Sequence, residues 1–124
     1  MPDNHKREIL KWFCEMIVAA NWKMNPSFDA ARRLATALGA RSFQPVKRIL
    51  FLPHPYLVPI SIRLGESQIL LGGQDCHQDA AGAHTGDVSA GMLRDCGAST
   101  VLLGHSERRA NHGETSAVVA AKAR

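Results

Sequence analysis

The sequence predicts an α/β fold built from four successive βα units on a parallel sheet. Three observations predict it. Four short runs, Met16–Ala20, Ile49–Leu52, Ile69–Gly72 and Thr100–Leu103, are continuously apolar rather than alternating, as strands covered on both faces are. The segments between them carry helical signals, with Ala31, Leu34, Ala35 and Leu38 falling at i, i+3, i+4 and i+7. Glycine, proline or a polar segment follows the end of each run, which marks abrupt strand exits. Periodicity alone does not separate a doubly wound sheet from a barrel. In both, ligands bind at the carboxyl ends of the strands.

The elements follow in order. After the first run, Pro26-Ser27 opens a helix that Gly39 stops. The second strand ends at Pro53, and a helix from about Pro55 turns Leu57, Ile60 and Leu64 inward before Gly65. Pro59 falls in or near its first turn, where a missing N–H is tolerated. The third strand leads into a glycine-containing loop, His77 to Asp87, and Ser89 is placed to cap a short helix through Met92 and Leu93 that closes at Gly97. After the fourth strand comes Gly104-His105-Ser106-Glu107-Arg108-Arg109. Thr115 or Ser116 then caps a last helix rich in Ala and Val.

Composition narrows the function. A chain of 124 residues fits one domain, and 45% hydrophobic with 21% charged residues is a globular profile rather than a disordered one. The net charge of +4 is scattered, with neither a basic stripe nor a nucleic-acid module, so no nucleic-acid partner is expected. No apolar run approaches the roughly 20 residues of a membrane span, and the charged N-terminus reads poorly as a secretory signal. Cys14, Cys76 and Cys96 are odd in number and lack a C-x-x-C spacing, which favours a reducing, cytoplasmic setting.

The chemistry must therefore lie in the strand exits, and three of them are informative. Ala20-Asn21-Trp22-Lys23-Met24-Asn25 follows the first strand. Gly73-Gln74-Asp75 follows the third, with Gly82-Ala83-His84-Thr85-Gly86-Asp87 in the loop beyond. Leu103-Gly104-His105-Ser106-Glu107-Arg108-Arg109 follows the fourth, continued by His112-Gly113-Glu114-Thr115. In this order and spacing, these segments resemble the triosephosphate isomerase family from about Met16 to Arg124. The resemblance implies a fold of the (β/α)8 TIM barrel family, here about four βα units, a half barrel. It implies interconversion of dihydroxyacetone phosphate and D-glyceraldehyde 3-phosphate through an enediolate, in glycolysis and gluconeogenesis, with no cofactor.

Site roles follow from the same resemblance. Lys23 would attract the substrate phosphate and offset charge on the enediolate oxygen, and Asn21 would hold substrate oxygen and Lys23 in register. His105 would be the neutral electrophile that polarises the carbonyl, beside the helical turn that begins at Ser106. Glu107 would orient groups around Lys23, and Arg108 and Glu114 would form a supporting ion pair near a subunit contact. Thr85 would reach a partner subunit in a homodimer. Read without the resemblance, Lys23 is a solvated loop charge, His105 a capping residue, and Glu107 and Arg108 a structural ion pair.

The chain also departs from the family pattern. Pro26 stands where glycine usually follows, His84 and His112 replace aromatic phenylalanine, and Asp87 replaces glutamate, which bears on packing of the loop and interface. The family's general base is a glutamate after the sixth strand, and no residue here matches it. Without it, proton transfer from carbon loses roughly 10²- to 10⁴-fold of acceleration. The isolated chain is therefore expected to be inactive, and with open strand edges prone to self-association. A non-catalytic half barrel that only dimerises or docks on another chain is the alternative, and an aldolase-type barrel is a poorer fit because Lys23 lies on the first strand. Residues 1–15 form an extension of unknown role, with Ile9, Trp12, Phe13 and Met16 at helical spacing. Asp75, Cys76, His77, His84 and His112 match no familiar metal-ligand spacing, so no metal site is expected and they are read as polar side chains facing solvent.

Overall fold

Four parallel strands in the order β1-β2-β3-β4 form the frame of the computed structural model, which describes residues 16–42 and 45–124. Strand β1 spans Ile17–Asn21, β2 Lys47–Leu52, β3 Ile69–Gly73 and β4 Thr100–Val101. The helices are α1 (Phe28–Gly39), α2 (Leu57–Leu64, led by a 3-10 turn over His54–Tyr56), α3 (Ala90–Asp95), α4 (Ser106–His112) and α5 (Ser116–Lys122). Sequential order with every neighbour parallel is what right-handed βαβ crossovers produce. It is the arrangement of half a (β/α)8 barrel. The reading of an amphipathic turn at Ile9, Trp12 and Phe13 lies outside the described residues.

Local chemistry explains the helix ends. The hydroxyls of Ser27, Ser89 and Thr115 accept the amide hydrogens of Ala30, Met92 and Val118, so each satisfies a donor the helix leaves open. Gly113, with φ 66°, ends α4 in the left-handed conformation that glycine adopts without steric cost. Gly39 is the last residue of α1 rather than its stop, and Ala40 takes the cap in a right-handed conformation.

Register shows what each sheet face does. Leu50 pairs with Leu71, and both join Leu52, Ile69, Leu57, Ile60, Leu64, Leu93, Ala31 and Ala35 in the core between sheet and helices. The apolar stripe of α1 is narrower than its sequence spacing suggests. Ala31 and Ala35 are fully buried, whereas Leu34 is 44% exposed. The two alanines let α1 approach closely, and Leu34 falls at the margin of the contact. A Cβ on Gly73 would lie 2.5 Å from Leu93 Cδ1, so glycine lets the Leu93 side chain pack directly on β3.

The opposite face is what would be the barrel interior. Asn21 pairs with Phe51 and Phe51 with Gly72, and the Phe51 ring lies where a Gly72 side chain would project, 2.5 Å from an ideal Cβ. Among the described residues nothing pairs with the second edge of β1, and Met16, Ile17 and Val18 are each more than half exposed. Strand β4 is shorter than the Thr100–Leu103 run predicts, although Leu102 N–H still donates to Gly73 O at 2.9 Å. Among the described residues β4 is paired along one edge, with β3.

Candidate active site

Strand exits β1 and β4 meet over an open cleft of about 750 Å³. Asn21, Lys23, Gln74, His105, Glu107 and Arg108 all line it. It lies at the carboxyl end of the sheet, where parallel α/β architecture places ligands.

Lys23 has φ 53°, a left-handed conformation that costs a side-chain-bearing residue of order 1 kcal/mol or more. Its surroundings fix it there. Asn21 Oδ1 accepts the Lys23 amide at 2.9 Å. The Gln74 side-chain amide donates to Lys23 O at 2.8 Å and to Phe51 O at 3.1 Å, tying the tips of β1 and β2 to β3. Asn21 is therefore as much a backbone clamp as a candidate ligand to substrate oxygen.

The Lys23 ammonium meets Glu107 Oε1 at 2.6 Å, across 84 residues of sequence, with both side chains about half exposed. That hydrogen bond holds the Glu107 carboxyl below its ordinary range, against the opposing pull of desolvation and with help from the Lys23 charge. Glu107 is thus a weak base and a positioning group for Lys23.

His105 caps α4 through its ring, Nδ1 accepting the Glu107 amide at 3.2 Å. Committing the Nδ1 lone pair in this way leaves the ring proton on Nε2. The neutral imidazole is then a hydrogen-bond donor on the nitrogen remote from the helix, the form an electrophile needs. The capping reading of His105 is the one the geometry shows. It is a cap, and the cap selects its tautomer.

Arg108 reaches back beneath the cleft. It donates to Glu114 Oε1 at 2.8 Å and meets Asp75 Oδ2 at 2.9 Å, and Lys122 contacts both Asp75 and Glu114. The Glu114 and Lys122 side chains are 5% and 8% exposed. Burial raises the Glu114 carboxyl, but hydrogen bonds from Arg108 and Lys122 outweigh it and leave the group below its usual range. Burial likewise pulls the Lys122 ammonium down, and hydrogen bonds to Asp75 and Glu114 reverse the direction, so it lies above its usual value.

Of the predicted residues, Asn21, Lys23, His105, Glu107 and Arg108 come together at the cleft, and Glu114 lies buried behind it. Ser106 opens α4 and stays off the cleft wall, while Thr85 is exposed on the 77–87 loop. Sequence reasoning assigned no role to Gln74 or Lys122, and it read Asp75 and Cys76 as surface residues, whereas the Asp75 side chain is only 15% exposed between Arg108 and Lys122 and Cys76 is buried in the core. Gln74 and Asp75 carried a signal, since both follow β3 directly. Lys122 carried none, because its partner Asp75 is 47 residues away.

Comparison with known proteins decides the family. The family model described as triosephosphate isomerase matches residues 16–124. The chain belongs to the triosephosphate isomerase family. Among curated relatives it is 50% identical over 111 residues to a triosephosphate isomerase of Caulobacter vibrioides, covering 86% of this chain and 43% of the relative. It is also 50% identical over 108 residues to that of Ruegeria pomeroyi, covering 87% and 43%. The crystal structure of triosephosphate isomerase from Bartonella henselae superposes with a TM-score of 0.78 at 41% identity, covering 88% of this chain and 46% of that one. The chain thus spans less than half the length of the relatives it matches.

Proposed function

We propose that the cleft is the phosphate-attracting and electrophilic half of a triosephosphate isomerase active site. The observation that carries this reading is the pairing of Lys23 with a His105 whose Nδ1 is already committed to an amide, on the wall of one cleft. In the whole reaction a carbon-bound proton is removed from dihydroxyacetone phosphate, an enediolate forms, and reprotonation at the neighbouring carbon gives D-glyceraldehyde 3-phosphate. The Nε2–H of His105 donates to the carbonyl oxygen as it gains charge and passes protons between the two enediolate oxygens. Lys23 sits by the phosphate and the developing oxyanion.

A general base is the part these residues do not supply. The carboxylates on the cleft wall are Asp75 and Glu107. Asp75 is held by Arg108 and Lys122, and Glu107 by Lys23. A carboxylate neutralised by a cation is poorly suited to take a proton from carbon. The 124-residue chain alone is accordingly assigned binding without turnover. Its loop around Thr85 is assigned a homodimer contact, in keeping with the exposure of that residue.

Calorimetric titration with 2-phosphoglycolate tests the reading, because its carboxylate and phosphate mimic an enediolate phosphate. One molecule should bind per chain, with affinity weakened at least tenfold by Lys23→Ala. Equal affinity in the parent and the variant would remove Lys23 from the site.

A further inference from the structure

We propose that the 77–87 loop carries a divalent transition-metal site, with His77, Asp79 and His84 as ligands and Asp87 behind them. None of the four residues lines the cleft, so the site is separate from the isomerase chemistry. One ligand atom from each of the three lies within 4.8 Å of the others. His84 Nε2 is 3.1 Å from Asp79 Oδ2, and His77 Nδ1 is 3.9 Å from the same oxygen. Ligands around a tetrahedral zinc, with bonds near 2.1 Å, stand about 3.4 Å apart, so small side-chain shifts close the set.

Two features go beyond proximity. His77 Nδ1 accepts the Asp79 amide at 2.9 Å, which places the ring proton on Nε2, the nitrogen 3.7 Å from Asp87 Oδ2. This is the tautomer required for Nδ1 to ligate a metal, and at 3.7 Å Asp87 stands just beyond hydrogen-bond reach of Nε2–H, placed to become its outer-shell partner as the ring moves. On binding, the metal replaces the amide at Nδ1. At His84, a Cβ on Gly82 would lie 2.8 Å from Nε2, so the glycine keeps the ligating nitrogen clear. The imidazole rings stack with centroids 3.9 Å apart and 27° between their planes, so one ring must turn out of the stack for both in-plane lone pairs to meet one ion. The side chains of His77, Asp79 and His84 are 21%, 51% and 36% exposed, which leaves room for that turn. In the chain by itself ions can therefore enter from solvent, with water filling the fourth position, before a partner subunit covers the loop. Two imidazoles with one carboxylate favour Zn(II), Co(II) or Ni(II) over Mg(II) or Ca(II). The sequence signal was weak because H-x-D-x4-H fits no standard ligand spacing.

Titration of the full chain with Zn(II) at pH 7.5, followed by calorimetry, tests the site, with the visible spectrum of the Co(II) complex reporting coordination. The expected result is one ion per chain. His77→Ala and His84→Ala should each weaken binding at least tenfold. Asp87→Asn, on the exposed loop, should weaken it by about 10- to 100-fold without altering the circular dichroism of the chain. His112→Ala should leave it unchanged. Absence of binding, or binding that survives both the His77 and His84 substitutions, would overturn the assignment.

Discussion

Replacing Lys23 by alanine lowers kcat/KM by about 10²- to 10³-fold in a chimera that joins residues 16–124 to the remaining sequence of the Caulobacter relative. The size follows from what the substitution removes. A fixed ammonium beside a developing oxyanion is worth about as much as one preorganised oxyanion donor, and its effect appears mainly in the transition state. In the proposed role the same ammonium also attracts the ground-state phosphate, so KM should rise while kcat falls. Lys23→Ala also releases Glu107 from its 2.6 Å partner and adds an uncompensated negative charge where an anionic substrate must sit. Steady-state kinetics in both reaction directions measure the effect. A loss below tenfold would show that Lys23 is a surface charge that happens to line the cleft.

Lys122→Met is expected to destabilise the chain by about 3–5 kcal/mol at neutral pH, because it strands Asp75 and Glu114 in a site built around the ammonium. Arg108 remains near both carboxylates, which favours the lower end of that range. Against a typical domain stability of about 5–15 kcal/mol this is a large loss. The pH dependence separates the ion-pair role from packing. The Glu114 carboxyl is lowered in the folded state, so its contribution is complete above the ordinary value of 4.5 and is lost as pH falls through the lowered one. The Lys122 ammonium is raised, so its contribution is complete below 10.5 and is lost as pH rises through the raised value. Urea unfolding of the parent should therefore show a network contribution that is flat between those limits, with a decline on the acid side that the variant shows less steeply. Identical acid limbs in parent and variant would mean that Lys122 stabilises by packing alone.

Much of the frame was legible because its signals are local. Ser27, Ser89 and Thr115 cap helices through contacts three residues away, and each apolar run sits at a strand. Strand ends were less legible, since β4 stops at Val101 although the apolar run continues through Leu103. Leu34 likewise kept the helical period yet stayed 44% exposed, because the small alanines beside it set the distance of α1 from the sheet.

Within the site, Lys23 and His105 could be named from their motifs, but their geometry could not. The left-handed backbone of Lys23 depends on Gln74, 51 residues away, and no short-range spacing announces that hydrogen bond. The capping role of His105 was the plainer of two readings, and it proves to be the means by which the ring proton is held at Nε2. The Asp75–Lys122 contact joins two segments brought near each other only by the winding of the sheet.

The division of labour in the cleft is tested most directly by isotope exchange. Dihydroxyacetone phosphate is incubated in D2O with the purified 124-residue chain, and deuterium entering at the reacting carbon is followed by NMR. The account predicts exchange at the uncatalysed background rate for the chain alone, and rapid exchange for the chimera carrying residues 16–124. Exchange by the chain alone within tenfold of the chimera would contradict it, because a competent base would then have to lie among these residues.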